Sequence, residues 1–232
     1  MPSWAIHLLT AKRLSNKIDV DKNIFLIGNL LTDLLNGYVI KEVSSHVLHS
    51  ETHFDAMTVF DGKKAKRPDL VGFKKKYGKY FLNNPLILGY YTHLATDYFW
   101  NSKTYDEYGV FNEEGKRIGV KLNNGKEKIC QKEEIRKLKT NDFKIFSAHI
   151  YEKEMIEKIY WDDNIMTYLK QFDWIKFEKT DIEKLITYIN KHIDKKNLSF
   201  EGKEKGYSIY TEELIDSNIN ICVNKIKKQI KA

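Results

Sequence analysis

The segment PLILGYYTHLATDYFWN, residues 85 to 101, constrains this chain most. It follows Asn84, and an Asn cap with proline at the first helical position opens a helix. Leu86, Ile87, Leu88, Tyr90, Tyr91, Leu94, Ala95, Tyr98, Phe99 and Trp100 cover nearly the whole circumference, so this helix belongs inside a core. Gly89, His93, Asp97 and Asn101 recur every four residues and make one stripe along it. Polar groups on a buried helix need partners. His93 and Asp97 can reach one ion through an imidazole nitrogen and a carboxylate oxygen, or can hydrogen-bond inside the core.

The flanking segments read mostly as further helices. Ser3 is a good N-cap for a first helix that puts Trp4, His7, Leu8, Ala11, Leu14 and Ile18 on one face, so His7 points inward. Asn23 can cap a second helix from Ile24 to about Tyr38, apolar almost all round. Asp33 inside it is an anomaly, because an unpaired buried carboxylate is costly and signals a cation or a strong donor. Between Tyr105 and Cys130 the turn signals NEEGK and NNGK separate strand-like runs and predict a β-hairpin. Helical patterning returns near Gln131 and runs through Tyr160. Thr180 to Glu183 reads as a capping box, and Thr211 or Glu212 opens the last helix. The expected architecture is mainly α, a multi-helix bundle over residues 1–232 as a single domain, with a small hairpin inserted on its rim near 105–130.

Composition narrows the function classes. A hydrophobic content of 42% with only three prolines excludes disorder and fibrous repeats. No apolar run approaches the roughly 20 residues of a membrane helix. No leader is evident, so a cytoplasmic location is the default expectation. Cys130 and Cys222 have no second Cys or His at metal-ligand spacing and read as reduced thiols. The formal charge of +7 is concentrated: Lys63, Lys64, Lys66, Arg67, Lys74, Lys75, Lys76 and Lys79 face a single acid, Asp69. Such a run is ordinarily a solvated loop or helix face; the sharper reading is a field that draws in a phosphate-bearing substrate. A nucleic-acid partner is the weaker reading, since no recognised binding motif accompanies the charge.

The remaining histidines divide by context. His46 and His49 read as a surface turn, although His49 and His53 would share a face if that segment were helical. His149 faces Ile145, Phe146 and Ile156 and reads first as a core histidine, second as a ligand. His192, ahead of Asp194, Lys195 and Lys196, reads as a favourable charge at a helix C-terminus.

Four pieces in order, MPSWAIH, FLIGNLLTDL, THF at 52 to 54 and LGYYTHLATDYFWN, resemble the zinc-dependent phospholipase C family in its small bacterial non-secreted form. They span the first hundred residues. The resemblance implies a helical bundle of the phospholipase C and P1 nuclease type, holding two or three zinc ions and hydrolysing a phosphoric ester. By position it implies that Asp33, His53, His93 and Asp97 hold one ion, and that His7 and a bridging Asp97 hold a second. It also implies a catalytic role for Asp97 and for Asp33, the latter as a candidate general base. Where the family carries a later HxxxE pair, this chain has Lys153 four residues after His149, with Glu152 three away. A mixed His and carboxylate set suits zinc, and Fe(II) or Mn(II) would fit the same donors.

The leading expectation is therefore a phosphoric ester hydrolase, acting on a small anionic phosphodiester or phosphomonoester, with a site of His7, Asp33, His53, His93 and Asp97 and with His149 as a further candidate. Its rivals are a non-catalytic helical binding protein with a structural metal, and a nucleic-acid-binding protein that uses the basic run.

Overall fold

The computed structural model describes residues 2–60, 63–153, 155–194 and 206–231. It is mainly helical, with two small antiparallel sheets. The helices are α1 (Trp4–Ser15), α2 (Lys22–Leu34), α3 (His49–Thr52), α4 (Leu70–Tyr77), α5 (Pro85–Asp106), α6 (Lys132–Glu152), α7 (Asn164–Leu169), α8 (Lys179–Asp194) and α9 (Glu212–Lys231). The strands are β1 (Asp55–Phe60), β2 (Lys63–Pro68), β3 (Gly109–Phe111), β4 (Arg117–Lys121) and β5 (Glu127–Ile129). No helix among the described residues is long and apolar enough to cross a membrane.

Side-chain caps explain several starts. Asn84 Oδ1 accepts from the Ile87 N–H at 3.0 Å with Pro85 next, as the sequence predicts for α5. For α2 the cap is Asp21, whose carboxylate accepts from Ile24, and not Asn23. Asn23 is instead occupied by the Tyr160 backbone, to which it both donates and accepts at 2.8 Å. The helix stops at Leu34, short of Tyr38, because Asn36 bonds the Tyr38 N–H and Gly37 takes a φ of 73°. Ser3 does precede α1, but its hydroxyl meets Ser147 rather than the helix backbone. α8 begins one residue before Thr180, so Thr180 lies in the first turn and the expected capping box does not form. α6 ends at Glu152, eight residues before Tyr160.

The expected hairpin near 105–130 is a three-stranded meander, β3-β4-β5, turning at Gly115 and Gly125 with φ of 68° and 80°. The sequence reading missed a second hairpin: β1 pairs with β2 from Asp55↔Pro68 to Phe60↔Lys63, across the sequence Asp61-Gly62. The basic run is thus divided between β2 and α4, with Lys79 just beyond α4.

α2 and α5 form the most extensive helix pair, and α1 lies across both and against α6 and α9. One continuous apolar cluster runs from Trp4 in α1 to Ile226 in α9. Each fully buried large side chain in it contributes roughly 1.5–3 kcal/mol relative to exposure. Where α2 crosses α5 the two backbones touch: a Cβ on Gly89 would stand 2.1 Å from Phe25 O, and one on Gly28 would stand 2.2 Å from Leu86 O.

This crossing gives a sharp test. In an exposed helix Gly89→Ala would stabilise by about 1 kcal/mol through propensity. Here the new methyl meets backbone that cannot rotate away, so a net loss of about 3 kcal/mol is expected from overpacking. A urea midpoint at or above that of the parent would contradict this packing.

Candidate metal centre

His7 from α1, Asp33 from α2, His53 just past α3, and His93 and Asp97 from α5 meet in the core, none more than 5% exposed. His93 and Asp97 arrive together because one helical turn separates them, and Asp33 faces them because the glycine crossing holds α2 against α5. His53 is delivered by a sharp turn: Phe54 sits at a φ of 52°, a conformation costing about 1–2 kcal/mol for an ordinary residue. The Phe54 ring, packed 4.7 Å from Trp174 and 5.3 Å from Phe73, offsets that cost. The Tyr90 hydroxyl, donating to the Thr52 carbonyl, ties the same turn to α5.

The separations in this cluster discriminate between a hydrogen-bonded core and a metal site. His7 Nε2 is 3.3 Å from Asp97 Oδ1, and His53 Nε2 is 3.3 Å from Asp97 Oδ2 and 3.5 Å from Asp33 Oδ1. His93 Nε2 is 3.7 Å from both Asp33 Oδ2 and Asp97 Oδ2. Hydrogen bonds of this kind measure about 2.7–3.2 Å. A tetrahedral ion with bonds of about 2.0–2.1 Å holds its donor atoms about 3.3–3.4 Å apart. All five separations exceed hydrogen-bond length, and two of them match the second spacing. Both ring nitrogens of His7, Nε2 of His53 and His93, and both Asp97 oxygens are buried without a hydrogen-bond partner among the described residues. Each such orphan costs about 1–3 kcal/mol, a cost that a cation would remove. Two overlapping triads, His7/His93/Asp97 and Asp33/His53/His93, have donor atoms within 4.8 Å of one another, so the residues present fit divalent cations.

The surrounding donors and acceptors leave these nitrogens facing inward. His93 Nδ1 lies 2.8 Å from the Asn29 carbonyl and His53 Nδ1 3.1 Å from the His49 carbonyl; a proton on each Nδ1 leaves Nε2 as the free lone pair. The Asn29 amide, oriented so that both its ends are satisfied, donates to the His7 carbonyl at 3.3 Å and accepts from the His93 N–H at 3.1 Å. Asp33 is oriented by Trp4 Nε1 at 2.9 Å and Asn36 Nδ2 at 2.8 Å. The sequence reading anticipated neither Asn29 nor these orienting donors. The available signal was Asn29 itself, one turn before Asp33 on an otherwise apolar helix.

Electrostatics favour donors without protons. Burial, with His7 stacked on it at 3.8 Å, pushes His93 down to about 3. Burial alone would raise Asp97, but the close approach of His53 and His7 holds its carboxyl well below the usual range. Asp33 is lowered by His93 and His53 against the same opposing burial. His53 is the exception: burial opposes its proton, yet Asp97 and Asp33 raise its pKa above the ordinary value. Binding a cation would displace that proton.

His149 is not brought to this centre. Its Nε2 lies 2.7 Å from Glu212 Oε1 at a half-exposed site between α6 and α9, which is where the sequence-based ligand candidate ends. His46 is exposed. His49 stacks on the His53 ring at 3.6 Å, and burial pushes it down to about 4. His192 bonds the Tyr188 carbonyl within its own helix, and Lys195 and Lys196 lie outside the described residues. Cys130 and Cys222 are both free thiols.

Two cavities meet the centre. One of about 540 Å³ touches Asp33 and is walled largely by Trp4, Val39, Tyr151, Tyr188 and Ile189. The other, about 530 Å³, reaches His53 and Asp97 and is lined also by Lys66, Asn101 and Arg136. Tyr38 borders both. The last third of the chain therefore supplies part of a wall through α8. No family model, curated protein or solved structure matches this chain.

Elemental analysis of the untagged chain, purified with zinc available, should find at least one equivalent of metal, and His93→Ala/Asp97→Ala should lose it. At a free metal concentration of about 100 Kd the parent should gain about 2.7 kcal/mol, roughly 5–10 °C in Tm, and the double variant nothing. Equal shifts in both would rule out this cluster as the binding place.

Proposed function

We propose that this protein is a metal-dependent phosphoric ester hydrolase, with a fold of the phospholipase C and P1 nuclease type, and that its metal centre comprises His7, Asp33, His53, His93 and Asp97. The observation that carries the reading is the spacing of their donor atoms, 3.3 to 3.7 Å between orphaned imidazole nitrogens and carboxylate oxygens. The four ordered sequence pieces supply the same five residues. Zinc suits this donor set best, with iron or manganese as substitutes.

Asp33, His53, His93 and Asp97 Oδ2 are four donors, enough to saturate one ion. His7 and Asp97 Oδ1 offer only two to a second, which leaves room there for water and substrate. That incompleteness favours catalysis over a closed structural site. When bound, the cations supply Lewis acidity toward a phosphoryl oxygen and a water made acidic near neutral pH. The chain's own contribution is positional. Asn29 and the His49 carbonyl hold two imidazoles in one tautomer, Trp4 and Asn36 hold Asp33, and Asp97 presents one oxygen to each side. Asp33 is kept ionised and borders the apolar cavity, and the same family resemblance marks it as a candidate general base.

The nucleic-acid reading gains nothing from the basic run. Arg67 bonds Ser102, Lys74 the Gln229 carbonyl, and Lys76 Asp173, while Lys66 turns toward the centre. These four described side chains are engaged in different directions.

The metal-loaded chain should release p-nitrophenol from p-nitrophenyl phosphate or from bis(p-nitrophenyl) phosphate, and His93→Ala should reduce either rate at least a thousandfold. A chain that carries metal yet cleaves neither ester, or a variant that keeps its rate, would overturn the reading.

A further inference from the structure

The cavity that reaches His53 and Asp97 has a wall the metal chemistry does not use. Lys66 comes to it from β2 and Arg136 from the first turns of α6, elements far apart in sequence that converge on one opening. Among the described residues neither forms an ion pair. Asn101, the last member of the α5 stripe and one turn beyond Asp97, lines the same cavity. Lys139, one turn after Arg136, lies behind Asn101: it is 8% exposed, with its Nζ 3.3 Å from Asn101 Oδ1. A lysine ammonium has three donors, and this one finds a single acceptor. Burial pushes its pKa down to about 8, which still leaves it charged at neutral pH. Asp55 is the one carboxylate on this wall apart from Asp97; burial raises its pKa, and Lys66 lies close enough to oppose that rise.

An anion entering this cavity therefore meets two exposed cations and, behind an amide, a third that the Asp97 carboxylate helps to keep charged. A phosphomonoester carries two negative charges and three terminal oxygens near neutral pH. A phosphodiester carries one charge and two such oxygens, and needs space for a second substituent. An Arg fork pairs two oxygens of a terminal phosphate at once, an arrangement a diester can satisfy only by giving up its contacts elsewhere. Resting on the hydrolase reading above, we propose that Arg136 and Lys66 grip a terminal dianionic phosphate, so that the substrate class is the phosphomonoester, with Asn101 held in place by Lys139.

The test compares ligands that differ only in charge and substitution. Isothermal titration of the metal-loaded chain with inorganic phosphate and with dimethyl phosphate should give phosphate at least tenfold tighter. Arg136→Gln/Lys66→Gln should weaken phosphate at least tenfold and bring the two ligands close together. The same pair should lower kcat/KM for p-nitrophenyl phosphate far more than for bis(p-nitrophenyl) phosphate. Both positions are exposed, so circular dichroism should show an unchanged fold. Equal affinity for the two ligands in the parent, or unchanged phosphate affinity in the double variant, would overturn the proposal while leaving diester hydrolysis intact. Tight, arginine-dependent phosphate binding without hydrolysis of either ester would instead sustain this anion site and sink the hydrolase.

Discussion

The rest of the structure depends on two helices meeting backbone to backbone. At Gly28 and Gly89 nothing but hydrogen separates the main chains of α2 and α5, and only that closeness lets a carbonyl of one helix accept from an imidazole of the other. Widen the crossing by one methyl group and Asn29 O no longer reaches His93, Asp33 withdraws from Asp97, and the donor atoms cease to surround a common point. The glycines carry no chemistry themselves. They set the spacing on which it relies.

A cluster of three imidazoles and two carboxylates is an expensive thing to bury, and the fold surrounds it accordingly. Most of the shell is apolar and aromatic, which keeps solvent to the two cavities, and Asp33, His53 and His93 are each oriented by a neighbour. What the shell does not do is satisfy the inward-facing atoms. Repulsion between stacked imidazoles and desolvation of the carboxylates are left standing against the stability derived from the core, which is the usual relation between a functional site and its scaffold.

The sequence made the central helix and its partners legible for a definite reason: an apolar helix leaves polar residues nowhere to go except toward one another. Asp33, His93 and Asp97 stand out because burial and polarity conflict there. His149 was harder to read, since its flanking apolar residues do pack inward while its own ring turns toward Glu212 at the surface; periodicity locates a face only to within about one residue in 3.6. The β1-β2 hairpin was hidden beneath charge. Lysines on β2 disguise the strand, although Asp-Gly between two extended runs is a strong turn signal. The start of α2 was misplaced because a distant partner claimed the expected cap, as the Tyr160 backbone does with Asn23. That claim is tertiary and leaves no local trace, whereas the end of α2 follows from Asn36 and Gly37 beside it.

The cover on α1 has a bearing on how the molecule is made. All five residues of the centre lie in the first 97, whereas α1 is closed over by α9, through Arg13 to Asp216 and Asn220 and through Lys17 to Asn224. During synthesis the donors therefore emerge well before the helix that seals them. Until α9 covers α1, His7 and its neighbours are more open to water, which weakens the repulsions of the finished core. Docking of α9 is then the step that closes α1 over these donors.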